Sequence, residues 1–177
     1  MFFGNSKKKT QRKLDELCYA VDIFIQVHYV RERSNDRYKF NTLTLKDDPE
    51  RRKLQEWLAE NGSPEQFSEL CILFLNKTGK EEAYITDQAR LEKGYFARIR
   101  NSDSFLPSKS EVTALCFAMK LNIEESRALL KSAGYALTNS EKSDLTIRYF
   151  IENNRYSIDD LNYVLKKLCE TTLQHIQ

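Results

Sequence analysis

Glycine and proline are scarce in this chain, five and three among 177 residues. Turns needing a positive backbone angle or a fixed φ are built first from those two residues. Their shortage argues for helices joined by short connections rather than for a turn-rich chain. Histidine is scarcer still, with two. Neither His28 nor His175 stands at zinc-ligand spacing from any of the four cysteines. Cys18, Cys71, Cys116 and Cys169 are scattered singly through apolar stretches, with no CxxC among them. They are expected as reduced, buried thiols that pack as small apolar side chains, so neither metal nor cofactor is expected. No apolar run approaches the ~18 residues that span a bilayer, and Met1–Ser6 lacks the apolar core of a signal peptide. The expectation is a cytoplasmic protein without membrane contact. Signatures of catalysis are missing too: there is no glycine-rich phosphate loop, nucleophile elbow, HExxH or zinc deaminase motif. Paired carboxylates (Asp47-Asp48, Glu81-Glu82, Glu124-Glu125, Asp159-Asp160) fall mostly at helix starts, where the helix dipole accounts for them. No catalytic residue is assigned and no enzyme is expected.

What is present describes a globular chain. An apolar share of 41 % beside 31 % charge suits a protein long enough to bury a core, as one domain or two small ones. A net charge of +2 is too small to announce a nucleic-acid partner, so its distribution matters more. Lys7, Lys8, Lys9, Arg12 and Lys13 form one basic cluster, readable equally as a solvated chain end or as a source of phosphate contacts. Arg90, Lys93, Arg98 and Arg100 form another.

Residues 1–8 are expected to be disordered. From Thr10 to Arg31 the pattern predicts one helix, with Leu14, Leu17, Cys18, Val21, Phe24, Ile25 and His28 at helical spacing. Tyr19, Ile23, Val27 and Val30 widen that stripe until only Asp22 and Gln26 interrupt it, so that the helix is apolar nearly all round between Val21 and Val30. Such a helix must bury two sides, at the centre of its own domain or against a second copy. A homodimer through the Thr10–Arg31 helix is the expectation, with His28 as a structural histidine. Residues 38–45 (YKFNTLTL) read as a strand, a lone hairpin or an extended connector. Asp48-Pro49 opens a helix ending at Asn61-Gly62, with Leu54, Trp57 and Leu58 on a narrow face and Trp57 as a packing anchor. Ser63-Pro64, with Gln66 at capping-box spacing, opens the next, whose core stripe is Phe67, Leu70, Cys71, Phe74 and Leu75. Two short helices follow, Glu81 to Gln88 and Lys93 to Arg100, then a polar loop to Leu106. Capping boxes at Ser108/Glu111, Asn122/Glu125 and Ser157/Asp160 open three more helices, and a further one runs from Glu141 to Asn153. Gly134 marks a left-handed helix end.

Ile85, Leu91, Phe96 and Ile99 have the spacing of a helix-turn-helix. Five helices in this order resemble the Cro/repressor (XRE-type) class of helix-turn-helix domains. More closely, Phe67 to Ile151, about half the chain, resembles a bacterial module of that class found at the ends of otherwise unrelated proteins. The residues carrying the resemblance are Ala89-Arg90-Leu91, Phe96 with Arg98-Ile99-Arg100, Pro107-Ser108-Lys109, and Lys131-Ser132-Ala133-Gly134-Tyr135-Ala136-Leu137. The fold expected is all-α. Residues 63–177 form a Cro-like domain with two extra C-terminal helices, and residues 1–62 a helical segment for dimerisation. The resemblance implies that Leu91, Phe96 and Ile99 point inward, while Lys93, Gly94, Ala97, Arg98 and one of Tyr95 or Arg100 point out. Arg90, Lys93, Gly94, Tyr95, Arg98 and Arg100 are therefore the candidate nucleic-acid-binding residues, because guanidinium forks and ammonium groups grip bases and phosphates.

Three positions depart from that class. Arg90 stands where a glycine is usual and Thr86 where a small alanine is usual. Gly94 and Ala97 occupy outward positions from which no side chain can donate to a base. The function expected is a small DNA-binding transcriptional regulator that acts as a dimer on double-stranded DNA. The alternative is an adaptor that docks a co-encoded effector in an anti-phage or toxin system, through the outer face Gly94, Tyr95, Ala97 and Phe105.

Overall fold

The computed structural model describes residues 3–30, 64–101 and 105–175, and these form eight α-helices with no strand among them. Helix α1 spans Phe3–His28, α2 Pro64–Thr78, α3 Glu82–Gln88, α4 Tyr95–Asn101, α5 Lys109–Ala118, α6 Ile123–Ser132, α7 Lys142–Glu152 and α8 Ile158–Leu168. A short 3-10 turn, Leu173–His175, follows. The expected strand or connector at 38–45, the helix carrying Trp57, the cap at Ser63 and the boundary between 62 and 63 lie outside the described residues, as do the side chains of Lys7 and Lys8.

Helix α1 begins at Phe3 rather than Thr10. Lys, Gln and Arg are good helix formers, and once a helix is nucleated each further residue adds a hydrogen bond. The segment expected to be disordered therefore continues the helix. Leu17, Val21 and Ile25 are buried against α7 and α8. The opposite side is not: Tyr19 is 70 % exposed and Val27 71 %. His28 stacks on Phe24 and its Nδ1 lies 2.9 Å from the Phe24 carbonyl, the structural role expected of it. Beyond the helix, Val30 N–H donates to the Asn139 carbonyl at 3.0 Å.

The remaining helices share one core with α1. Helix α2 buries Phe67, Cys71, Phe74 and Leu75 and packs on α6, while α5 packs on α3 and α6 and α7 on α8. Capping boxes open α5 (Ser108 with Glu111) and α6 (Asn122 with Glu125), each satisfying two otherwise orphaned N–H groups. At α8 only half the box forms, with Ser157 accepting from Asp160 N–H at 3.2 Å. Val112, Leu115, Cys116 and Met119 face inward as the spacing predicts. The thiols divide: Cys71 and Cys116 are buried and desolvation pushes each up to about 12, whereas Cys18 and Cys169 are only half-buried. Those two lie towards the edges of the helix packing, so burial of all four does not hold.

The shortage of glycine is met in a way the composition does not announce. Four helices end on the same device, in which the residue after the left-handed position sends its N–H back five residues. The bonds are Leu91 to Thr86, Leu121 to Cys116, Tyr135 to Leu130 and Arg155 to Phe150, at 2.8–3.0 Å. Only one of the left-handed residues is a glycine, Gly134 (φ 82°); the others are Arg90 (φ 56°), Lys120 (φ 52°) and Asn154 (φ 53°). For a residue with a Cβ this conformation costs roughly 1–2 kcal/mol, which these turns recover through the carbonyls they satisfy and the apolar residue they fold inward.

One charged pair lies inside. Lys109, the first residue of α5, places its ammonium 2.7 Å from Asp144 Oδ1 in the first turn of α7, with side chains 9 % and 0 % exposed. The contact is ionic rather than an aligned hydrogen bond. Asp144 Oδ2 accepts from the N–H of Thr138 at 2.9 Å and from its hydroxyl at 3.1 Å. Burying a charged pair is costly unless its members are paired and hydrogen-bonded, and this pair fixes the start of α7 to the start of α5.

Candidate interaction surface on the α3–α4 pair

Helix α3 opens at Glu81, which is extended and makes no side-chain cap. It buries Ile85 and Thr86, and the Thr86 hydroxyl donates to the Glu82 carbonyl at 2.7 Å. That bond lets a threonine be buried here without leaving its hydroxyl unpaired. The chain then turns through Ala89, left-handed Arg90 and half-buried Leu91 into α4. Gly94 (φ 81°) precedes α4, and a Cβ built on it would meet nothing within 4 Å. Its outer side is therefore open space, and the positive φ is what calls for glycine.

Helix α4 begins at Tyr95, two residues later than the sequence pattern places it, and it buries Tyr95, Phe96 and Ile99. This corrects the outward placement of Tyr95. In a helix starting at 95, residues 95 and 99 share one face, so Tyr95 joins the core stripe with Ile99 and is 0 % exposed. Its ring meets Phe96 and Phe105 edge-on, with centroids 6.2 and 5.3 Å away. The hydroxyl finds no hydrogen-bond partner, and burial drives its pKa far above the phenol range, reinforced by Glu111 and Cys71. Tyr95 is a packing residue and cannot reach a partner. Phe105, expected on the outer face, is half-buried against it.

Five of the six candidate residues remain at the surface, and the structure supplies each arginine with an acid. Arg90 donates to Asp159 Oδ1 in the first turn of α8 at 2.6 Å. Arg98 lies 3.5 Å from Glu92 Oε2, with its guanidinium over the rings of Tyr95 and Phe105 at 5.4 and 5.6 Å. Arg100 donates to Glu82 back on α3, a bond that raises the guanidinium's pKa. Lys93 is exposed and makes no ion pair among the described residues. From Glu81 to Asn101 the chain carries four acids and four bases, hence no net charge. Lys9, Arg12 and Lys13 stand on α1, whose packing partners are α7 and α8, and Arg12 is held by Glu16 at 3.1 Å.

Spacing alone does not find these acids. Glu82 and Glu92 are near in sequence but not at the i+4 interval that marks a helical pair, and Asp159 is 69 residues from Arg90. Between α3 and α4 lies an open cleft of about 590 Å³ with Ala83, Leu91, Gly94 and Phe96 along it and Glu82, Asp87 and Lys93 at its rim. Among the described residues no group of three or more His, Cys, Asp or Glu could hold a metal ion, and no helix is long and apolar enough to cross a membrane.

Compared with family models, curated proteins and solved structures, this chain matches none. Its functional reading rests on its own residues.

Proposed function

We propose that the α3–α4 pair is a Cro-like helix-turn-helix used to dock a protein partner, as in the adaptor role, rather than to read a DNA sequence. The observation that carries this is the pairing of every arginine on the surface with a carboxylate: Arg90 with Asp159, Arg98 with Glu92, Arg100 with Glu82. A phosphate approaching these groups meets the acids as well, and loses by repulsion much of what it gains by attraction. In helix-turn-helix proteins a helix N-terminus often anchors a phosphate, but here the first helix of the pair starts with Glu81-Glu82. Base reading fares no better, since Gly94 and Ala97 carry no donor and Tyr95 is buried. The open cleft between the two helices, apolar along its length and mixed in charge at its rim, suits a partner's projecting side chain.

The test is binding of the full chain to a random duplex and to the region upstream of its own gene, across a salt series. Docking predicts no binding at low salt, or equal weak binding to both duplexes. The protein encoded beside this one is expected to co-purify with the native chain and not with Ala83→Trp, which crowds the cleft from an exposed helical position. Tight, steeply salt-dependent binding to the upstream duplex, abolished by alanine at Lys93, Arg98 and Arg100 together, would overturn the proposal. It would instead establish the second reading, a DNA-binding regulator. One observation favours that reading: the three arginine pairs are solvent-exposed, and such pairs are worth about 0–1 kcal/mol, so phosphates could displace the acids cheaply.

A further inference from the structure

The second side of α1 is the largest apolar feature that no element among the described residues covers. Tyr19, Ile23 and Val27 follow one another at intervals of four residues, which places them along one ridge of α1, and Val30 lies just beyond the end of the helix. Their exposures are 70, 44, 71 and 61 %, although the same helix buries Leu17, Val21 and Ile25 behind them. Gln26, which donates to Asp22 at 2.8 Å, is the polar residue that stands among them.

We infer that this ridge is the contact between two copies of the chain, crossing antiparallel about Ile23. Three properties of the ridge specify that occupant. It is convex, so its complement is another helix surface, ridge against groove, rather than an inserted side chain. It complements itself under a two-fold axis, because residues equally distant from Ile23 are Tyr19 and Val27, and a large side chain on one copy meets a small one on the other. Charge selects the orientation. A parallel pair would stack Lys9, Arg12 and Lys13 of both copies together, whereas the antiparallel pair holds them at opposite ends and sets the two helix dipoles head to tail. The ridge involves none of the α3–α4 residues, so the inference stands whether that surface meets protein or DNA.

The experiment is the mass in solution of the full native chain, by light scattering or sedimentation equilibrium from low to high micromolar concentration. The expected result is two chains, falling to one in Val27→Glu with the helical circular dichroism kept. Tyr19→Lys is a second route to the same result if Val27→Glu fails to fold. Orientation is read by oxidising Tyr19→Cys chains mixed with Val27→Cys chains, where the mixture forms a covalent dimer and neither variant does so alone. A native chain that stays monomeric throughout overturns the inference. If Val27→Glu then also lowers the melting temperature, the ridge is covered within the chain, by the segment between residues 31 and 63. A dimer that survives both substitutions overturns it as well, since the contact then lies elsewhere.

Discussion

Lys109 with Asp144 and Arg90 with Asp159 are both cation–carboxylate pairs between distant parts of the chain, and they do opposite things. The first lies inside, with Asp144 wholly buried and its other oxygen held by Thr138. The second lies in water, with side chains 48 % and 77 % exposed. In the interior neither charge can leave its partner without facing a medium that does not solvate it, so the pair fixes how α5 and α7 start together. On the surface water stands in for either partner, so the pair sets local charge and little else. One pair holds the fold in register, and the other determines what may approach it.

The largest effect is expected from breaking the interior pair. Asp144→Ala leaves the Lys109 ammonium buried and alone, and should cost about 3–5 kcal/mol in urea unfolding. Replacing both partners by Met and Leu should recover most of that, because a filled apolar site needs no charge. A loss of under about 1 kcal/mol for Asp144→Ala would show that water reaches Lys109 and would erase the distinction. The surface pair predicts the reverse sign. Arg90→Gly gives up a contact worth about 0–1 kcal/mol but relieves a left-handed arginine costing roughly 1–2 kcal/mol. After the unfolded-state entropy of glycine, a small net rise in stability is expected in the same assay. A fall would mean that Asp159 holds the turn more firmly than its exposure implies.

The smallest effect concerns Lys77 and Glu125, which join α2 to the cap of α6. The Lys77 hydrogen bond, helped by the Asn122 N–H and opposed by burial, holds the Glu125 carboxyl below the ordinary glutamate range. A depressed carboxylate contributes stability that is fully present above its unfolded pKa and lost as pH falls through its lowered folded value. With Lys77 65 % exposed, the contribution is a few tenths of a kcal/mol, in the range of about 0.2–1 for exposed pairs. Lys77→Met should therefore melt slightly earlier than the native chain at neutral pH and at the same temperature once Glu125 is protonated in both.

These contrasts also mark what the sequence shows and what it hides. Capping boxes at Ser108 and Asn122, the stripe from Phe67 to Leu75 and the left-handed Gly134 were legible because each is a local rule with its signature within a few residues. Tyr95 was misplaced although it stands four residues before Ile99, an interval that puts both on one face wherever the helix begins; its outward placement followed the resemblance instead of that interval. The acids facing Arg98 and Arg100 belong to no helical interval, and the one facing Arg90 comes from the far end of the chain. Both basic clusters were therefore visible, but not the neutralisation of the second. Helix α1 was legible in its pattern, since an all-round apolar helix announces two buried sides. Only the structure shows which side the chain itself covers.

That first helix raises a matter of timing. Of the eight helices, α1 is synthesised first, and the helices it rests on, α7 and α8, are synthesised last. At about 5–20 residues per second, the more than one hundred residues between His28 and Lys142 take roughly six to twenty seconds to emerge. Helices α2 to α6 contact one another and can assemble during that interval, but the α7–α8 seat of α1 does not exist until those two helices have emerged. Of the eight helices, the one made first is thus the last to dock, and until then Leu17, Val21 and Ile25 wait for the surface that buries them.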